Sequence, residues 1–126
     1  MFFEFLGKIG IDFFCFHDRD IAPEGANVEE SERNLEQVVD TIEEEMGRSK
    51  AKLLWGTACL FTHPHYASGA GTSPDAEVFC QAAAQVKAAM DATHRLGGLG
   101  YVFWGGREGY GSLINTDMKR ERQNLA

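Results

Sequence analysis

The 126 residues suit one domain of ordinary size, and 44% apolar with 25% charged residues excludes a disordered chain. Twelve basic against nineteen acidic side chains leave a net charge of -7, which argues against a nucleic-acid backbone or an anionic membrane surface as partner. Cys15, Cys59 and Cys80 are odd in number and form no Cys-x-x-Cys pair, so neither a disulfide framework nor a zinc knuckle is expected and a reducing cytosol fits.

Phe2, Phe5, Leu6 and Ile9 recur at helical spacing before Gly10, so residues 1–9 read as the end of a helix, with something upstream expected to be missing. The Met1-Phe2-Phe3-Glu4 start has no basic stretch and is broken by Glu4 and Lys8, so no signal peptide is expected. No apolar run approaches the length of a membrane span. Residues 11–16 form a short apolar run with aromatics, hence a buried strand with Cys15 as a small core residue. A loop marked by Pro23 and Gly25 follows.

From about Asn27 to Met46 the spacing of Val28, Leu35, Val38, Val39, Ile42 and Met46 predicts a helix, stopped by Gly47 and solvated on its Glu- and Asp-rich side. Residues 52–55 read as a second strand, followed by a long loop from Thr57 to Thr72. Ser73 is the expected N-cap of the next helix, with Pro74 in its first position. Val78, Phe79, Ala82, Val86, Ala89, Met90 and Thr93 are its expected buried side, and Gly97-Gly98 its end. Residues 101–104 read as a third strand, and another helix begins near Asp117. Strands alternating with helices imply a parallel sheet with right-handed crossovers, an α/β fold.

Chemistry in such folds gathers at the C-terminal ends of strands, where His17-Asp18-Arg19-Asp20 lies. Asp20 or Asp18 could orient the His17 imidazole, with Arg19 pairing the other, and such a dyad would move a proton to or from a hydroxyl. Trp55, Thr57 and Phe61 follow the second strand, as core packing or as a pocket wall. His63-Pro64-His65 has a chelating spacing, but no Cys or paired carboxylate lies near it and no metal role is expected. Trp104-Gly105-Gly106-Arg107-Glu108-Gly109 ends the third strand: Trp104 could wall a sugar face, while Arg107 and Glu108 are expected to pair with each other or with neighbouring loops. There is neither a G-x-G-x-x-G nor a Walker loop, so nucleotide binding has no support.

Three blocks together, from Phe14 to Gly25, from Leu53 to Ala58 and from Tyr101 to Tyr110, resemble the xylose isomerases, in particular the longer-chained bacterial-type class with a Trp where Trp55 stands. That resemblance implies a TIM barrel with a C-terminal arm, a cytoplasmic homotetramer, and an isomerase that interconverts D-xylose and D-xylulose. It implies two divalent ions (Mg²⁺, Mn²⁺ or Co²⁺) that polarise the open-chain sugar for a hydride shift. By resemblance His17 binds the cyclic sugar and assists ring opening, Asp20 orients it, and Trp55, Thr57, Phe61, Val102 and Trp104 form the substrate wall.

The family's metal ligands lie on its fifth and later strands, so no metal ligand is expected in this chain. Residues 1–126 are then a partial TIM (β/α)8 barrel covering about strands 2–4. Cys59 stands where the family usually has Asn, and Leu99-Gly100 and Gly111 replace polar or acidic residues. A three-stranded parallel sheet cannot close, so the isolated chain is expected to be inactive and poorly folded. The alternative is a non-catalytic truncated relative serving as a binding or assembly piece. A different barrel enzyme, such as a metal-dependent endonuclease or sugar epimerase, is disfavoured by the three blocks taken together.

Overall fold

Alternation of apolar side chains in β1 (Phe13–His17) buries Phe14 and Phe16 and leaves Phe13 and Cys15 exposed. The same logic runs through β2 (Lys52–Thr57), where Leu53 is buried and Leu54 is not. A computed structural model describes residues 1–105, 108, 114 and 117–126. In it β1, β2 and β3 (Gly100–Tyr101) pair in that order, all parallel, as a three-stranded sheet. A register shift falls between Phe14 and Cys15, so Leu53 faces Phe14 while Trp55 faces Cys15. His17 then pairs with Thr57, which sets the two strand ends side by side.

Helices fill the connections. α1 (Phe2–Ile9) ends at Gly10, whose φ of 73° is the left-handed C-cap conformation that glycine adopts without strain. A one-turn helix, α2 (Asp18–Ile21), follows β1 directly. α3 (Val28–Gly47) is N-capped by Asn27, whose side chain accepts from the Glu30 N–H. α4 (Ala76–Arg95) connects β2 to β3, and α5 (Met118–Leu125) follows, N-capped by Asp117. A 3-10 turn at Pro64–Tyr66 interrupts the loop after β2.

The core lies on one face of the sheet. Leu6, Phe14, Phe16, Leu35, Val39, Ile42, Leu53, Ala92 and Leu96 form one apolar cluster, with Phe3 packed edge-on against Phe14 at 5.3 Å. Gly56 is required there: a Cβ would come within 2.2 Å of Thr93 Oγ1 and 2.7 Å of Phe16 Cζ. Across the helical layer, Arg95 donates to Asp40 and Glu43, each at 2.6 Å, and so ties α4 to α3.

Several expectations need correction. Cys15 is exposed, because strand alternation turns it to the face that Phe13 and Leu54 share. The N-cap of α4 is Asp75, not Ser73: the Asp75 side chain accepts from the Glu77 and Val78 N–H groups, and the Ser73 hydroxyl accepts from the Asp75 N–H. Phe79 and Met90 are exposed, and the buried stripe of α4 is Ala82, Gln85, Ala89, Ala92 and Thr93. Gly47 is the last residue of α3 rather than a left-handed stop, and Arg48 is the C-cap. The third strand is Gly100–Tyr101 instead of 101–104, although the Val102 N–H still bonds to the Gly56 carbonyl.

Candidate active site

His17 is the last residue of β1, and its side chain is one-third exposed. Because α2 starts at the next residue, one helical turn returns Asp20 to the imidazole: Nδ1 lies 2.9 Å from Asp20 Oδ2. A carboxylate at Nδ1 selects the tautomer with its proton there and leaves Nε2 as the acceptor.

Rings from the ends of the other strands close around this dyad. Trp55 meets His17 edge-on at 6.2 Å, and Phe61 does so at 6.3 Å. Trp104 in turn lies 4.4 Å from Phe61. Five of the predicted residues, His17, Asp20, Trp55, Phe61 and Trp104, therefore form one continuous cluster.

Thr57 and Val102 sit beside that cluster. Thr57 is 2% exposed and donates its hydroxyl to the Val102 carbonyl. Both line a cleft of about 490 Å³ with Leu60, Val86 and Tyr101, and Trp104 borders this cleft too. The Tyr101 hydroxyl accepts from the Ala58 N–H at 3.1 Å, and burial pushes its phenol pKa above the usual range.

Asp18, the other of the two carboxylates that could have oriented His17, turns inward instead. It is not a partner of His17, and Arg19 pairs loosely with Glu24 at 4.0 Å. Asp18 is 1% exposed and accepts from the Arg19 N–H, the Cys59 N–H and Gln85 Nε2, each at 2.8 Å. Gln85 Nε2 also donates to the Cys59 carbonyl at 3.2 Å, and Gln85 Oε1 accepts from the Tyr66 hydroxyl at 2.8 Å. Burial pushes the Tyr66 pKa up to about 12. Gln85 and Tyr66 escaped the sequence reading. The signal for Gln85 was a lone amide on the small-residue stripe of α4, between Ala82 and Ala89.

Glu108 does pair with a neighbouring loop, accepting from the Ala70 N–H at 3.0 Å and from the Thr72 hydroxyl at 2.9 Å. Gly106, Arg107, Gly109, Tyr110 and Gly111 lie outside the described residues. His63 and His65 meet edge-on at 5.3 Å, and the His63 ring accepts from the His65 N–H. Among the described residues no group of three or more His, Cys, Asp or Glu side chains could hold a metal ion. Two hard cations need clustered oxygen ligands, and the one buried carboxylate of the site already takes three N–H donors, so these residues do not fit the ion pair. Among the described residues no helix is long and apolar enough to cross a membrane.

No protein-family model matches the chain. It is 60% identical over 124 residues to a xylose isomerase of Caldicellulosiruptor bescii, covering 98% of this chain and 28% of that protein. Identity is 59% to the xylose isomerase of Arabidopsis thaliana, covering 98% of this chain and 26% of the plant protein. The chain is a partial match to the xylose isomerase family. A third xylose isomerase, from Listeria welshimeri, is 53% identical over 126 residues, covering 100% of this chain and 29% of its own length. Every site residue named above thus falls inside the region matched to xylose isomerases. The chain spans between 26% and 29% of the length of these relatives.

Proposed function

We propose that this chain is the sugar-binding, ring-opening part of an aldose–ketose isomerase of the xylose isomerase type, a partial TIM barrel covering about strands 2–4 over residues 1–126. The observation that supports this most is the His17–Asp20 pair at 2.9 Å at the end of β1, set against rings that come from β2 and from the segments after β2 and β3. A sugar needs such a surface. Its C–H face packs on aromatic rings, and its hydroxyls need a few placed polar groups.

In this reading Asp20 holds the Nδ1 proton of His17, and Nε2 takes the proton of the anomeric hydroxyl. The bond from the anomeric carbon to the ring oxygen then breaks, and the ring oxygen takes up the proton that Nε2 accepted, passed on directly or through water, which gives the open-chain aldehyde and returns His17 to its neutral state. Trp55, Phe61 and Trp104 form the wall against which the sugar lies, with Thr57 and Val102 fixing the backbone behind it. The divalent ions implied by the resemblance would supply Lewis-acid chemistry for the later hydride shift. No described residue set here suits them, and no step is assigned to them. D-Xylose is the substrate of this reading, and a cytoplasmic homotetramer is its assembly.

A second reading, a non-catalytic binding or assembly piece, is favoured by the exposure of Phe13, Cys15 and Leu54 on one sheet face. The two tryptophans, Trp55 and Trp104, allow a test. Addition of D-xylose is expected to change their fluorescence saturably, and Trp104→Ala is expected to weaken the apparent affinity about fivefold. A linear or absent response contradicts the sugar site. D-Xylulose formation by the chain alone with Mg²⁺ or Co²⁺ would overturn its expected inactivity.

A further inference from the structure

We infer that Asp18 is a positioning residue for the His17–Phe61 wall, acting through a buried chain of hydrogen bonds that runs from Tyr66 through Gln85 to Asp18 and Cys59. This role rests on the sugar-site reading above. The geometry that carries it does not.

The chain joins three segments that share no backbone pairing at this point. Asp18 belongs to the turn that holds His17 and Asp20. Cys59 and Tyr66 belong to the loop that holds Phe61. Gln85 projects from α4. Each polar atom of the Gln85 amide is used: Oε1 accepts from Tyr66, while Nε2 donates to Asp18 Oδ2 and to the Cys59 carbonyl. Each oxygen of Asp18 is used as well. Asp18, Tyr66, Cys59 and Gln85 are all buried, with exposures of 1%, 3%, 6% and 8%.

A buried network in which every member is satisfied fixes one arrangement, because any slip leaves a donor or acceptor without a partner. Here the fixed arrangement is the distance between the turn and the loop. The consequence on the open side is the edge contact of Phe61 with His17, 6.3 Å between ring centres. Cys59 and Phe61 are two residues apart, and His17 and Asp18 are adjacent, so neither ring can shift far while the network holds. The raised pKa of Tyr66 keeps its phenol a donor across the working pH range.

Nuclear magnetic resonance on the full chain, without sugar, tests this in the folded state described above, and a well-dispersed spectrum would also overturn the expectation that the isolated chain is poorly folded. Four variants are compared with the unaltered chain: Tyr66→Phe, Gln85→Glu, Asp18→Asn, and the Asp18→Asn/Gln85→Glu pair. Gln85→Glu alone sets two carboxylates against each other. In the pair the new amide at position 18 donates to the new carboxylate at position 85, which still accepts from Tyr66, while the Cys59 carbonyl loses its donor. The unaltered chain is expected to show a His17–Phe61 ring nuclear Overhauser effect and a slowly exchanging Cys59 amide. Gln85→Glu should lose the ring effect and speed Cys59 exchange at least about tenfold, and Tyr66→Phe should speed it about threefold with an unchanged circular dichroism spectrum. The pair should regain part of the ring effect, since the contact between positions 18 and 85 is remade and that to the Cys59 carbonyl is not.

Three results would overturn the inference: no ring effect in the unaltered chain, single variants that keep both signals, or a pair that folds with no more ring contact than Gln85→Glu alone. If Gln85→Glu unfolds, Tyr66→Phe and the pair still decide. Because no sugar is present, these results stand whichever way the fluorescence titration falls.

Discussion

Asp18 and Asp20 leave the same helical turn in opposite directions: Asp18 is 1% exposed, while the Asp20 side chain is 70% exposed. The inner carboxylate takes three N–H donors and joins α2, α4 and the loop after β2. The outer one touches the imidazole of His17. One side of the turn therefore holds the fold, and the other faces the open end of the sheet, where the sugar site is proposed. The sheet repeats this division, with Leu53 1% exposed among the helices and Leu54 40% exposed on the opposite face.

Substitutions on the two sides should separate cleanly. Asp18→Ala removes the acceptor of three donors, two backbone and one side-chain, and should cost roughly 3–5 kcal/mol in urea unfolding. Leu53→Ala should cost about 3 kcal/mol by the same measurement, because it opens a cavity beneath α3 and α4. Leu54→Ala, on the exposed face, should cost less than about 1 kcal/mol. Gly56→Ala, whose methyl group would press on Thr93 and Phe16, should cost about 2 kcal/mol. Asp20→Ala should change stability by about 0.5 kcal/mol or less and yet remove the fluorescence response to D-xylose.

Tyr66 gives the comparison a pH axis. Its pKa rises from 10.0 to about 12 on folding, because burial disfavours the phenolate. The sign follows: folding favours the protonated phenol, so this contribution is whole below about pH 10 and is lost as pH rises through about 12. Absorbance of the phenolate should show one tyrosine of the native chain titrating near 12, and Tyr66→Phe should remove that transition. A native chain whose tyrosines all titrate near 10 would contradict the burial of this side chain.

Periodicity made the long elements legible. The apolar spacing of α3 and the paired glycines after α4 mark those helices because the physics is local. The His17–Asp20 pairing was legible in part, since either Asp18 or Asp20 would serve a histidine at a strand end. What chose between them was the immediate start of α2, which a reading of loop residues after β1 did not contain. Gln85 and Tyr66 were hidden for a different reason. Gln85 bonds to Asp18, 67 residues away along the chain, and Tyr66 to Gln85, 19 residues away, and only the packing of α4 brings the groups together. The N-cap expected at Ser73 and found at Asp75 shows the same limit at short range: two residues able to cap stand two apart, and the start of the helix decides.

The central claim is that the outer side of the β1 turn is a sugar site. Its most direct test is a titration of the full chain with D-xylose, followed through the ring signals of its four histidines and two tryptophans. Saturable shifts at His17, Trp55 and Trp104, with His63, His65 and His94 unmoved, are the predicted result. No saturable shift at His17, or shifts confined to His63 and His65, would contradict it.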